Sequence, residues 1–357
     1  MISYLIKKLG YALLTLYGVV TVIFLLFYLL PGDPAEMMLG QNQTPEQIAN
    51  LNAKYAFDQS LLDQYFLFIN DLSPLSFHSA DPTDFTYPTD RYNGFQIITT
   101  DAGSVLLKTP YLRESFQKTG KPVSDVIAEV LPNTMLLAAT AIFIALFLGT
   151  VLGIVSALYR DGAIDKGIQV VSTLGMSIPS FFSAILFAYV FGYVLHEFTG
   201  LNMSGNLYEL DDYGEQMHLK WHNLILPAVV LGIRPLAVIT QLMRNSLIEV
   251  MNQEYITTAY AKGLTTVQVI WRHAFKNALN PVVTAVSGWF ASMLAGAVFV
   301  EYIFNWNGLG KEIVEALNTL DLPIITGAVL VIATLFIFIN IVVDLIYVWL
   351  DPRVSLE

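Results

Sequence analysis

The sequence predicts an all-α polytopic membrane protein with six transmembrane helices and a large extracytoplasmic segment between the first and the second. Three observations carry this. Of 357 residues 55% are hydrophobic and 13% charged, about half the charged share of an ordinary soluble domain. Six stretches, roughly 9–30, 131–158, 167–195, 223–243, 277–300 and 322–349, are apolar over about the 20 residues a helix needs to cross a bilayer core. Lysine and arginine then divide unevenly between the two sides that these spans define.

Residues 1–30 form the first element. Lys7 and Lys8 precede an uncharged run from 9 to 30 that exceeds a secretory h-region and has no small-residue cleavage site after it, which makes it a retained signal-anchor helix. Residues 31–130 are the extracytoplasmic segment. There "TPEQ" gives an N-cap at Thr44, a proline at N1 and a glutamine at N3, and apolar residues at helical spacing follow. Within this segment the insert 74–110 is richer in Pro, Asp, Thr and aromatics without a helical period, which predicts a loop or a small strand-bearing insert. Residues 131–349 hold the five remaining spans, and 350–357 form a short tail.

With the N-terminus inside, the inner segments carry Lys7, Lys8, Arg160, Lys166, Arg244, Lys262, Arg272, Lys276 and Arg353, whereas the longer outer segments carry eight cations. Both termini are therefore expected in the cytoplasm. No basic patch supports nucleic-acid binding. Cysteine is absent, which excludes disulfides, thiolate metal sites and cysteine nucleophiles.

Between the fourth and fifth spans lies a charged, capped hairpin, 252–276. Asn252 is placed to N-cap a short helix with Glu254 in its first turn and Lys262 in its last, each complementing the helix dipole. Gly263 supplies a left-handed C-cap position. "TTVQ" then forms a capping box in which Thr265 caps, Gln268 reaches back and Leu264 staples onto Val269. Ala259 and Ala261 bring no bulk, so another protein could approach closely. An amphipathic interfacial helix is the alternative; caps on both sides of one glycine favour a rigid protruding element.

"AYAKG" followed by "HAFKNALNPVV" resembles the cytoplasmic loop of ABC importer permeases of the dipeptide, oligopeptide and nickel class. In that superfamily the loop docks into a cleft of the ATPase subunit. Ala259 and Gly263 take the last alanine and the glycine of the broader E-A-A-x-x-x-G pattern, while Thr257 and Thr258 replace its E-A and Tyr260 stands where an arginine is common. "FLLFYLLPGDPAEMMLG", "LPNTMLLAAT", "SIPSFF", "GAVFVEYIFNWNGLG" and "VDLIYVWLDPRV" extend the resemblance along the chain, most closely to the first of the two permease subunits. Insert 74–110 is longer than the family pattern. The resemblance implies a type I ABC importer permease fold in the inner (plasma) membrane. It also implies a second permease subunit, two ATPase subunits that bind ATP and Mg, and an extracytoplasmic substrate-binding protein. Short peptides would be the substrate, with nickel or another small solute as the alternative. Glu254, Ala259, Ala261, Lys262 and Gly263 would form the ATPase-coupling element.

No cofactor site is expected in this chain, and it is not expected to be an enzyme: G-x-x-x-x-G-K-[ST] does not occur, and "NGLGK" at 307–311 lacks its spacing. An ion-coupled secondary transporter would place acids at midplane and repeat its halves; neither is seen. Arg234, followed by Pro235 in the fourth span, is an intramembrane cation that needs a partner or water. It either lines the translocation path or marks a structural pair or a shifted span. Pro179 breaks the backbone ladder of the third span, as a kink along the path or a packing kink. Gly149 and Gly153 form a G-x-x-x-G packing motif. Asp344, Asp351 and Arg353 are expected to pair structurally with Arg244 or Lys276. His218 and His222 are four apart, but two ligands without a third are weak grounds for a metal.

Overall fold

The computed structural model describes residues 2–29, 34–39, 44–82, 84, 86–87, 92, 94–118, 120–211, 213 and 215–350. In chain order these form α1 (Ile2–Tyr28), α2 (Pro34–Leu39), α3 (Pro45–Tyr55), α4 (Leu61–Leu72), β1 (Leu75–Ser79), β2 (Gly94–Thr100), β3 (Gly103–Lys108), α5 (Val123–Leu158), α6 (Ala163–Ser177), α7 (Ser180–Tyr189) and α8 (His196–Thr199). They continue as β4 (Tyr208–Leu210), β5 (Met217–Leu219), α9 (His222–Met251), α10 (Glu254–Ala261), α11 (Thr266–Val269), α12 (Phe275–Ala278), α13 (Asn280–Gly296), α14 (Val298–Ile303), α15 (Leu309–Thr319) and α16 (Leu322–Leu350). π-helical turns carry the chain through Val190–Val194 and Ile270–Ala274.

The apolar stretches all fall on helices, but not on six uniform rods. Among the described residues α1, α5, α9 and α16 are each long and apolar enough to cross a membrane, while α6 and α7 qualify only as a pair bent by 110°. The third predicted span is thus interrupted, not one continuous helix. Pro179 disfavours helical backbone in the residue before it, and Ile178 sits at φ −77°, ψ 130°, so α6 stops at Ser177 and α7 starts afresh. α13, of 17 residues, occupies the fifth stretch, with α12 before it and α14 after. α5 begins at Val123, inside the segment read as extracytoplasmic. Two small sheets qualify the all-helical expectation: insert 74–110 folds as β1-β3-β2, antiparallel throughout, and β4 pairs with β5.

The chain divides into two compact units, residues 1–129 with 313–334 and residues 130–312 with 335–357. In the first, α3 starts at the predicted capping box of Thr44 and Gln47. Its polar centre is Asp71, buried, whose carboxylate accepts from Arg113 Nε at 3.0 Å and from the Tyr92 hydroxyl at 2.7 Å. The Arg113 guanidinium also lies 5.5 Å from the Tyr55 and Phe68 rings, so the cation is paired on one side and covered by aromatic faces on others. Lys108 donates to the Asp71 carbonyl; burial pushes its amine down to about 8. The α15–α16 junction is held here by Asp321, which accepts from Ser115 Oγ and from the amides of Phe116 and Gln117.

The second unit packs Leu137, Ala141, Ala184, Leu231, Met293, Phe304 and Trp306 into its main core. Two of the quoted motifs meet there: Asn133 Nδ2 donates to the Asn307 carbonyl at 2.7 Å, Trp306 Nε1 to the Asn133 carbonyl at 3.2 Å, and the Leu309 amide to Thr134 Oγ1 at 2.7 Å. Buried Glu301 accepts from the amides of Gly310 and Lys311 at 2.6 and 3.3 Å, which satisfies two of the donors that the start of α15 would otherwise leave unpaired. A Cβ on Gly310 would lie 2.4 Å from Val298 Cα and 2.9 Å from Glu301 Oε2. Gly310→Ala is therefore expected to overpack this corner at a cost of about 1–3 kcal/mol, read as a lowered melting temperature of the detergent-purified protein.

Candidate functional site

The site is built on α9. α5 approaches it through Gly149 and Gly153, where a Cβ would fall 2.9 Å from the Leu236 carbonyl and 2.6 Å from Met243 Cβ respectively. The glycines of the G-x-x-x-G motif thus serve close helix packing. α9 runs unbroken past Pro227 and Pro235, so the helix does not break at Arg234. Arg234 is exposed, and no acidic side chain of the described residues pairs with it. It lines a cavity of about 190 Å³ with Ile178, Ser180, Leu231, Pro235 and Trp289. The break at Pro179 lies between two of these lining residues. Pro235 carries no amide, so the Leu231 carbonyl loses its helical donor at the cavity wall.

Near its other end α9 is locked to α6. Arg244 Nε and Nη2 donate to the two oxygens of Asp165 at 2.7 and 2.6 Å, a bidentate pair. Asp165, 2% exposed, also accepts from Ser156 Oγ at 2.5 Å and from the Asp161 amide at 2.9 Å. Arg244, one of the two cations expected to meet an acid at the end of the last span, instead has its partner in the first turn of α6. The Asp344 side chain, Asp351 and Arg353 lie outside the described residues.

α9 ends at Asn252, which is its C-cap and not the N-cap of the next helix. Gln253 takes the N-cap position of α10 without a side-chain bond. The reason is that α9 persists to Met251 and uses Asn252 for its own termination. α10 has Glu254 in its first turn, and Lys262 is its C-cap. Gly263 stands at φ +84°; its amide donates to the Tyr260 carbonyl at 2.8 Å and that of Leu264 to the Ala259 carbonyl at 3.4 Å. These two bonds make a Schellman motif. The capping box follows as predicted, with the Thr265 amide 3.0 Å from Gln268 Oε1 and the Gln268 amide 3.4 Å from Thr265 Oγ1.

Ile256 and Ala259 are buried in a core shared with Leu247, Val269, Ala274 and Ala278. Ala259 is covered by its own chain: it lies three residues after Ile256, on the same helix face, and its small side chain lets α10 close there. Glu254, Ala261, Lys262 and Gly263 are exposed together with Tyr260. Asn277 Nδ2 donates to the Tyr255 hydroxyl at 2.8 Å, which ties α10 to α12. The two histidines do not form a helical pair, since His218 lies on β5 and His222 opens α9 with its Nε2 3.1 Å from Asn202 Nδ2.

Residues 149–356 match the family described as binding-protein-dependent transport system inner membrane component, and residues 1–79 match its N-terminal model. The chain is 32% identical over 368 residues to a dipeptide transport system permease protein DppB of Alkalihalophilus pseudofirmus, covering 99% of this chain and 100% of that one. It is 31% identical over 370 residues to a di/tripeptide transport system permease protein DppB of Pseudomonas aeruginosa, covering 99% of each. Among solved structures, an inward facing MetNI methionine ABC transporter shares its fold at a TM-score of 0.51 and 14% identity, over 63% of this chain and 96% of that one. With two models of one family covering both ends, and full-length relatives above 30% identity, this chain belongs to the binding-protein-dependent transport system inner membrane components, the permease subunits of ABC transporters.

Proposed function

We propose that this chain forms half of the translocation path of an ATP-driven importer for short peptides and couples to ATPase subunits through the 252–276 hairpin. One observation carries the reading: a single unbroken helix, α9, bears the cavity-lining Arg234 and leads directly into the hairpin. From Arg234 to Met251 the rod measures about 25 Å. A displacement of the hairpin is thereby delivered to the cavity wall, clamped on its way by Arg244 and Asp165. The uneven cations support cytoplasmic termini and a cytoplasmic hairpin, and the names of the full-length relatives support peptides.

In this scheme two ATPase subunits, which bind ATP and Mg, close on the exposed Glu254, Tyr260, Ala261, Lys262 and Gly263. A second permease subunit completes the path, and an extracytoplasmic binding protein delivers the substrate. The different contacts that the ATPases make in their open and closed states are what bias the two conformations of the spans. Arg234 meets the peptide's terminal carboxylate.

Uptake of labelled dipeptides by the reconstituted transporter tests this. The wild type is expected to take up peptides and to prefer a free C-terminal carboxylate over its amide. Arg234→Ala is expected to lose on the order of tenfold for the free acid, the worth of one charge-assisted hydrogen bond, and to abolish the preference. Unchanged uptake and preference at normal protein levels would remove Arg234 from the path.

A further inference from the structure

The sheet of insert 74–110 turns an apolar face outward and buries a mostly polar one. Residues directly opposite each other in an antiparallel sheet share a face, and Leu107 pairs with both Leu75 and Phe95, Val105 with both Phe77 and Ile98. On that face Leu75 is 57% exposed, Phe77 65%, Phe95 82%, Ile98 55% and Leu107 47%. The opposite face carries the buried Ser76, His78, Ser104 and Lys108, with Leu106 as its buried apolar side chain. Ser76 and His78 are satisfied from within: Ser76 Oγ lies 2.8 Å from His78 Nε2, and His78 Nδ1 lies 2.8 Å from the Thr86 carbonyl. A one-sided antiparallel sheet in water shows the reverse arrangement, and a contiguous apolar patch of this kind marks a surface that something covers.

Position in the fold says what covers it. α4 leads into β1 after only Ser73 and Pro74. Tyr65 of α4 is hydrogen-bonded to Thr21 of α1 at 2.6 Å and its ring lies 5.0 Å from that of Phe24. Thr21 precedes Tyr28, near the end of α1, by about 10 Å of helix, so α4 lies beside the last turns of a membrane-spanning helix. Leu62 and Phe66, one turn apart on α4, are exposed, and Phe66 lines a cleft with Phe77, Ile98 and Val105. Exposed apolar side chains therefore recur from α1, as at Leu25 and Leu26, over α4 to the sheet. The face has no charged side chain, since Lys108, the one charged residue of the three strands, belongs to the other face.

We infer that the insert lays this sheet face on the phospholipid leaflet at the C-terminal end of α1, the extracytoplasmic one. Phe95, Phe77, Ile98 and Leu107 enter the boundary between headgroups and acyl chains, as the apolar face of an interfacial helix does. The inference rests on the membrane placement and orientation given under Proposed function.

Because the chain has no cysteine, single sites can be spin-labelled in the assembled transporter, its other subunits made cysteine-free, in bilayer nanodiscs of phosphatidylethanolamine and phosphatidylglycerol. Phe95→Cys and Ile98→Cys report the apolar face, Gln96→Cys and Thr99→Cys the other, and Leu14→Cys on exposed α1 reports lipid directly. At 95 and 98 collisions with oxygen are expected to exceed those with a water-soluble nickel chelate, and at 96 and 99 the order is expected to invert. High nickel contact at all four sheet sites would overturn the inference. So would low contact with both reagents at 95 and 98, or protection that arises only when the binding protein is added, because each marks a protein cover. Nickel contact at position 14 would instead overturn the membrane placement of α1 itself.

Discussion

Arg244→Ala is expected to destabilise the α5–α6–α9 assembly by about 3–5 kcal/mol, because it leaves the buried Asp165 carboxylate without its counter-charge. Two charge-assisted hydrogen bonds disappear at once, at 2.7 and 2.6 Å, and Ser156 and the Asp161 amide cannot replace a positive charge. Thermal unfolding of the detergent-purified protein reads this as a large drop in melting temperature, with peptide uptake falling in parallel. Replacing both partners, Arg244→Met with Asp165→Leu, is expected to recover most of the stability, since a buried ion pair and a well-packed apolar pair are often close in free energy. Recovery of stability without recovery of uptake would assign the pair a part in transmitting motion. A wild-type melting curve for Arg244→Ala would show that the pair holds nothing.

The second large effect is at Gly263. Proline is locked near φ −65°, whereas this position requires +84°. Gly263→Pro also removes the amide that donates to the Tyr260 carbonyl. The variant is expected to lose more than tenfold in uptake, on the order of the 1.4 kcal/mol that a tenfold change represents, while the spans stay folded because the change is confined to an exposed turn. Gly263→Asn is the control: asparagine visits the left-handed region, so most of the uptake should remain. Equal losses in both variants would point away from backbone conformation and towards the bare surface of glycine.

What was legible in the sequence was local. The capping boxes at Thr44 and Thr265 each span four residues, and Gly263 acts through its own φ, so their chemistry is complete within a short window. The third span was harder: "SIPSFF" announces a proline, but whether Pro179 kinks or breaks the helix depends on how α6 and α7 pack, and here they turn by 110°. Asn252 misled because two helices compete for it and α9 wins. Asp165 and Arg244 are 79 positions apart, a separation across which no periodicity or cap speaks. Ala259 was correctly marked as small, but a helix of eight residues does not reveal which face meets its own chain and which a partner. The same ambiguity hid the inverted sheet: the composition of 74–110 points to a loop or a small strand-bearing insert and is silent on which face looks outward.

The central claim is that the exposed side of the hairpin is where ATPase subunits dock. Lys262 is exposed at the end of α10, and in this cysteine-free chain Lys262→Cys can carry a photoreactive benzophenone without competing labels on the same subunit. The measurement is photocrosslinking of that site in the intact transporter, with a label at the membrane-facing Leu14→Cys for comparison. Adducts with an ATPase chain from position 262 alone, changing in yield when ATP is added, are the predicted result. An assembled, transport-competent complex in which position 262 yields no ATPase adduct would contradict the account.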